Sequence, residues 1–394
     1  MMGILNRFGK MWNSAGISHM KSLHIVVIIL AGVAVYANTL HVPFVLDDSY
    51  ITQLGPKSFL EILLHGGSRR IADLTFALNL HVHGVRETGY HLVNIAIHLS
   101  TSVLIYCVID SALEALYGSF SAQPDSERDS AFSERCISLA VALLFVLHPI
   151  QTQAVTYIIQ RYTSLATFFY LGSIWFFLRW RLVYAKNGTC CLPWFLLCLS
   201  LAAGILAMGS KQIAATLPLM LFFLELFLFR GRMIHRTFFI ICGVLSIFVV
   251  VAVLIQWHGS SLHDFIYDLD YATSEDHTAS RMTYFLTQTR VVATYLGLLC
   301  WPLNQNLMLV SPKYATLFSV PVIASLALHL FLISMAAFLF RFSRRLLLSH
   351  EVQQGILFRL QLSVSSGFML PCWLNRVFFP SGMSFLSIVY IFLR

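Results

Sequence analysis

Charge is scarce in this chain: Asp, Glu, Lys and Arg make up 11% of its 394 residues, where a soluble globular domain carries about a quarter. So little charge excludes an ordinary water-facing surface. Chemistry-bearing cysteine patterns are missing too. The eight cysteines (Cys107, Cys136, Cys190, Cys191, Cys198, Cys242, Cys300, Cys372) form no CxxC and no metal-like spacing, which argues against a thiol-redox or zinc module. His81 and His83 lack a third ligand at suitable spacing, so no metal site and no cofactor is assigned. No internal repeat stands out, which counts against a transporter built on inverted repeats. Lys and Arg outnumber Asp and Glu by 26 to 18, yet they fall in short stretches and not in one basic patch. Nucleic acid is therefore not an expected partner.

What the chain has in quantity is apolar sequence: 58% hydrophobic residues and a mean hydropathy of +0.75. Apolar runs near 23–40, 90–109, 137–149, 163–180, 193–209, 214–230, 237–256 and 317–340 each approach the ~20 residues that cross a bilayer core. The predicted fold is an all-α integral membrane protein, a polytopic helical bundle of about eight spans. Two outer-face loops, 41–89 and 257–316, are expected to carry short amphipathic helices, at 57–65 and 284–301. Residues 1–22 form a basic leading segment ahead of an uncleaved first span. Basic residues sort to one side: Arg7, Lys10 and Lys21; Arg128 and Arg135; Arg179, Arg181 and Lys186; Arg230, Arg232 and Arg236; Arg341, Arg344 and Arg345. By the positive-inside rule that side is cytoplasmic, with the N-terminus and a loop at 110–136. The sequon at Asn187 then lies inside and stays silent.

The polar residues worth weighing fall on the opposite, extracytoplasmic side (lumenal in a eukaryote). Asp47 and Asp48 follow the first span; adjacent carboxylates disfavour joint ionisation, which suits a general base, although Asp is also common in solvated turns. Tyr90, Asn94 and His98 share one helical face beside His91; such a face belongs against a wet cavity or against interhelical hydrogen bonds. The turn HPIQTQAVTYIIQR crowds His148, Gln151, Gln153, Thr156, Gln160 and Arg161 into one segment, more hydrogen-bonding groups than a connection needs. Lys211 sits on the side poor in positive charge, where a lipid phosphate or simple snorkelling accounts for it. Glu225, one turn from Arg230, reads as structural. Acids and cations together (Arg69, Arg70, Arg161, Lys211) fit transfer from a lipid-linked phosphate donor, the carboxylate taking the acceptor's proton and the cations meeting the leaving phosphate.

The stretches FVLDD (44–48), RRIADLTFALNLHVHG and TGYHLVNIAIHL (within 69–99), LLFVLHPIQTQAVTYIIQRYTSLA (143–166), SKQIAATLPLMLFFLEL (210–226) and TYLGLLCWPLNQNL (294–307) resemble membrane proteins that join a glycosyltransferase C-type bundle to tetratricopeptide repeats. Animal transmembrane O-mannosyltransferases and bacterial relatives share this wording. The resemblance implies that 23–345 is an inverting hexosyltransferase bundle moving a sugar from polyprenyl phosphate onto an acceptor hydroxyl, often a protein Ser or Thr. Expected partners are the lipid-linked donor, a protein or glycan acceptor and membrane lipids. Asp47 and Asp48 are implied at the active centre, Asp47 as base and Asp48 as its support, with the reverse order still open. Arg69, Arg70, His148, Gln153, Gln160, Arg161 and Lys211 are implied on the donor and its phosphate. Tyr90, His91, Asn94 and His98 would line the cavity.

Two departures stand out. Family members carry Lys-Glu where this chain has Lys211-Gln212, and residues 346–394 do not match at all. The genetic code suggests why. Codons for Pro380 through Arg394 can be chosen so that the register beginning at the third base of the Pro380 codon reads IRDVIFEHRIYLPS, a family motif that precedes the repeats. We expect the coding DNA to show this reading, with a frameshift near 350–362 that removes the repeats; different codons there would end the idea. An inactive membrane remnant is the alternative, followed by a transporter of lipid-linked or anionic solutes.

Overall fold

A computed structural model of the chain describes residues 2–53, 59–65, 67–117, 126–188, 191–229, 281–303, 305, 312–339 and 341–342. Among them every regular element is helical. The expected span at 237–256 and the tail 346–394 lie outside the described residues.

Helix α1, Met2–Tyr36, runs into short 3-10 turns at Ala37–His41 and Leu46–Asp48 and the short helix α2, Ser49–Gln53. Then follow α3 (Phe59–His65), α4 (Arg70–His83), α5 (Glu87–Tyr117), α6 (Ser126–Leu147), α7 (Gln151–Thr156), α8 (Arg161–Asn187), α9 (Cys191–Ser210) and α10 (Leu217–Leu228). Two more, α11 (Arg281–Cys300) and α12 (Val320–Leu339), complete the described elements. Two compact units are distinguished: Met1–His277 with Gly297–Leu309, and Thr278–Leu296 with Val310–Arg394.

Among the described residues four helices are long and apolar enough to cross a membrane: His19–His41, Glu87–Leu116, Cys191–Ser210 and Val320–Leu339; Arg135–Leu147 and Gln212–Leu228 are shorter apolar helices. The chain is thus an all-helical integral membrane protein. The expected run at 163–180 is the middle of α8, which falls short of that apolar standard although it is 27 residues long. Its position explains the mixed composition. It packs against both α5 and α9, and a helix enclosed by protein has no need of lipid-compatible residues all round. Across the α8–α9 contact Ser173 and Ser200 each donate their hydroxyl to the other's carbonyl, both at 2.8 Å. Small hydroxyl residues of this kind let two membrane helices approach closely. Leu178, Phe177, Trp180, Leu197, Leu217 and Leu221 fill the core beside them.

The stretch 110–136, expected as a loop, is mostly helix: α5 runs on to Tyr117 and α6 starts at Ser126. Ion pairing lets the helices continue. Asp110 meets Lys21 at 2.7 Å, and Glu114 meets Arg179 at 3.1 Å and Lys186 at 2.8 Å, so the acids on α5 are neutralised by α1 and α8. Glu225, read from sequence as structural, pairs with Arg181 of α8; Arg230 lies outside the described residues. Glycine ends both α4 and α8. Gly84 and Gly188 take φ of 62° and 68°, a positive φ open to glycine at little steric cost, and their amides donate back to the carbonyls of Leu80 and Tyr184.

Candidate active site

The ion pairs mark one end of α5. At about 1.5 Å per residue its 31 residues carry the chain to a different set of polar side chains at the other end. There α5 begins with Tyr90, His91 and Asn94, all fully buried. Their side chains bind backbone from neighbouring segments. Tyr90 donates its hydroxyl to Gly84 O at 3.1 Å, and His91 Nε2 lies 2.8 Å from Val42 O. Asn94 Nδ2 donates to Val155 O and Ile158 O, both at 3.3 Å. His98 is wedged edge-on against Tyr36, with Nε2 3.5 Å from Val146 O. The helical face expected from spacing therefore looks into the bundle, where it pins loops. None of the four lines the cavity described below.

Arg161, expected against the donor phosphate, is wholly buried. Its Nε donates to Asn94 Oδ1 at 2.7 Å, and its terminal nitrogens donate to Tyr90 O at 3.0 Å and Thr75 O at 3.4 Å. The guanidinium lies 4.4 Å from the centre of the Phe76 ring and 5.6 Å from that of Tyr90. These contacts tie α4, α5 and α8 into one block; carbonyl dipoles and ring faces make a buried cation tolerable. His148 is likewise engaged: Nδ1 accepts the Ile150 amide at 3.2 Å and Nε2 faces Leu299 O at 3.1 Å. Lys211 Nζ donates to the Thr163 hydroxyl at 2.8 Å, which donates in turn to Gln160 Oε1 at 2.9 Å. Arg70 Nε bonds Gly67 O at 3.1 Å. Gln153 is part-buried in α7.

An open cavity of about 610 Å³ lies beside this block, lined by Asp47, Ser49, Tyr50, Gly67, Ser68, Arg69, Asp73, Ile159 and Tyr162. Of the residues singled out from sequence, Asp47 and Arg69 come together here. Asp48 points the other way. It is 1% exposed, with Oδ2 accepting the Val45 amide at 3.0 Å and Oδ1 accepting the Ile159 amide at 2.8 Å. Asp48 thereby straps the first outer loop to the 157–160 segment. The Asp47 amide adds a third tie, donating to the Tyr157 hydroxyl at 3.1 Å. Between Val45 and Asp47, Leu46 sits at φ 48°, a left-handed conformation that a branched side chain rarely adopts. These ties hold it there.

Burial pushes the Asp48 carboxyl above its ordinary range, against the lowering pull of the Val45 and Ile159 amides and of His91. The leading cause is loss of solvent and not the expected repulsion between neighbouring carboxylates. A raised folded-state pKa means that the folded protein holds this proton more tightly. Stability is then gained as pH falls through the raised pKa and lost as pH rises through it. Asp48→Asn removes that dependence but sets an NH2 against one of two N–H donors, at a cost of about 1–3 kcal/mol. Thermal unfolding at neutral and mildly acid pH should show a smaller pH response in the variant than in the parent.

Asp73, Tyr50, Tyr162, Ser49 and Ser68 were missed by sequence reasoning. Asp73 is 7% exposed, and its Oδ1 accepts the Tyr162 hydroxyl. The Tyr162 ring carries the Arg69 guanidinium 5.2 Å above its centre. Gln212 donates to the Ser68 hydroxyl at the cavity wall, so Gln212 borders this site. The signal for Asp73 was present: it is the lone acid in the apolar stretch RRIADLTFALNLHVH, where a carboxylate is costly without a purpose. Among the described residues no three His, Cys, Asp or Glu side chains gather as a metal-ligand set.

The chain is 32% identical over 124 residues to the Drosophila melanogaster protein O-mannosyl-transferase Tmtc3, covering 31% of this chain and 13% of that protein. It is 27% identical over 252 residues to human protein O-mannosyl-transferase TMTC2, covering 59% of this chain and 27% of that one. For human TMTC1 the figures are 29% over 163 residues, 41% of this chain and 16% of the relative. The chain is related to these O-mannosyl-transferases. It spans about a quarter or less of the length of these three relatives. No family model and no solved structure matches it.

Proposed function

We propose that the chain is a membrane glycosyltransferase that moves a sugar, mannose by analogy with its relatives' names, from a polyprenyl-phosphate donor to an acceptor hydroxyl, with protein Ser or Thr as the acceptor class. The reading assigns the C-type bundle to 23–345, a cytoplasmic N-terminal segment to 1–22 and an extracytoplasmic face to the cavity.

The observation that carries it is the meeting of Asp47 and Arg69 in one open cavity. The acceptor oxygen attacks the anomeric carbon of the donor sugar, its proton passes to the Asp47 carboxylate, and the bond from that carbon to the phosphate oxygen breaks. The electron pair leaves with the lipid phosphate, whose charge Arg69 meets from its shelf on Tyr162. Asp48, held by two amides, aims Asp47 and does not itself touch the substrate. Arg161 and His148 act as parts of the frame. Lys211, Gln160, Gln153 and Arg70 complete the polar end of the bundle around the donor site.

The test is transfer in proteoliposomes from radiolabelled polyprenyl-phosphate mannose to a Ser/Thr peptide. Transfer is expected from the lipid donor and not from a nucleotide sugar. Arg69→Gln should raise the KM for the donor about tenfold, the worth of one charge-assisted hydrogen bond. Absence of transfer from the lipid donor would overturn the reading.

A further inference from the structure

Asp73 is a buried carboxylate that the chemistry above leaves without a task. It stands in the first turn of α4, where an acid complements the helix dipole. That role is served as well by an acid in water. It gives no reason to bury Asp73 to 7% exposure and still leave it on the wall of a cavity. Orienting Tyr162, whose hydroxyl it accepts, is a second role, and it explains the contact without explaining the opening onto the cavity.

The neighbours suggest what fills the space. One tyrosine serves two partners: the hydroxyl end of Tyr162 meets Asp73, and its ring face carries Arg69. A cation suited to a phosphate and a carboxylate suited to hydroxyls are therefore held on a single aromatic ring. Phosphate joined directly to a polyol is the make-up of a sugar phosphate. Tyr50 lines the same cavity and is 45% exposed. Burial raises its phenol pKa first and the Asp73 charge raises it further, which places the two side chains within electrostatic reach of each other. An uncovered aromatic face beside a carboxylate suits a hexose, which has an apolar C–H side and a rim of hydroxyl donors.

We propose that Asp73 and Tyr50 form the subsite that reads the transferred sugar: the Asp73 carboxylate accepts ring hydroxyls while the Tyr50 ring covers the sugar's apolar face. This rests on the lipid-phosphate donor reading and divides the labour within it. Asp47 takes the proton, Arg69 holds the phosphate, and Asp73 selects what the phosphate carries.

Binding separates these roles. The full chain in nanodiscs is titrated with a short-chain polyprenyl-phosphate mannose and with the same lipid phosphate lacking the sugar. The parent is expected to bind the sugar-bearing probe more tightly. Asp73→Asn should raise the Kd of that probe about tenfold and leave the sugar-free probe unchanged, which also reports that the variant is folded. Tyr50→Ala should act in the same selective way, and Tyr50→Phe, which keeps the ring, should bind as the parent does. Equal weakening of both probes by Asp73→Asn would make Asp73 a support for Tyr162 and Arg69 and overturn the subsite. Equal binding of the two probes by the parent overturns it as well, with the lipid-phosphate site still standing. If the parent binds neither probe, the donor reading itself falls.

Discussion

Asp47→Asn is expected to lower the rate of sugar transfer by about 10²–10⁴-fold, the usual worth of a positioned general base. The amide keeps the size of the carboxylate but cannot accept the acceptor's proton. Its loop keeps the ties that run through the Asp47 backbone amide to Tyr157 and through Asp48 to Val45 and Ile159, and the oxygen of the new side-chain amide still accepts from the Tyr157 hydroxyl that the Asp47 carboxylate meets in the parent. The loss should appear in kcat at saturating donor, with the KM for donor little changed. Initial rates in proteoliposomes measure both. Full activity in the variant would remove Asp47 from the chemistry and turn attention to Asp73, the other acid on the cavity wall.

The largest effect on stability is expected far from the cavity. Arg181 and Glu225 are paired through two bonds, 2.7 Å from Nε to Oε2 and 2.8 Å from a terminal nitrogen to Oε1, with side chains only 5% and 4% exposed. The Phe229 ring lies 4.6 Å from the guanidinium carbon and helps exclude water. Glu225→Ala leaves an uncompensated buried cation and should cost about 3–5 kcal/mol, whereas replacing both partners by Leu should cost far less, because the desolvation penalty disappears with the pair. Thermal aggregation in detergent, followed by size-exclusion chromatography, compares the three proteins. A Glu225→Ala midpoint equal to the parent's would show that the pair adds nothing.

Helical periodicity identified which side chains share a face but not what they touch. Tyr90, Asn94 and His98 were legible as an inward-facing set, since spacing decides that. Their partners are carbonyls of Gly84, Val155, Ile158 and Val146, and a carbonyl has no signature in sequence. Arg161 shows the same blind spot. A cation on the sparsely charged side suggested a phosphate, whereas three acceptors from α4 and α5 enclose it. The 110–136 stretch was drawn as a loop because its charges look unsuited to a helix in a bundle. Asp110 and Glu114 at its start are neutralised by partners as far as 89 residues away in sequence. Asp47 and Arg69, named from sequence, line one cavity, while Asp73 was passed over. Only the fold places it on the cavity wall.

Leu46 connects the loop's geometry to its behaviour. A leucine at φ 48° sits in a backbone region that costs a bulky side chain energy, so the turn that carries Asp47 to the cavity has to be held. Three hydrogen bonds hold that conformation, and each ties down a backbone amide of Val45, Asp47 or Ile159. The strained leucine and the three amide ties therefore belong together: the same bonds that place the Asp47 carboxylate also offset the cost of the Leu46 backbone.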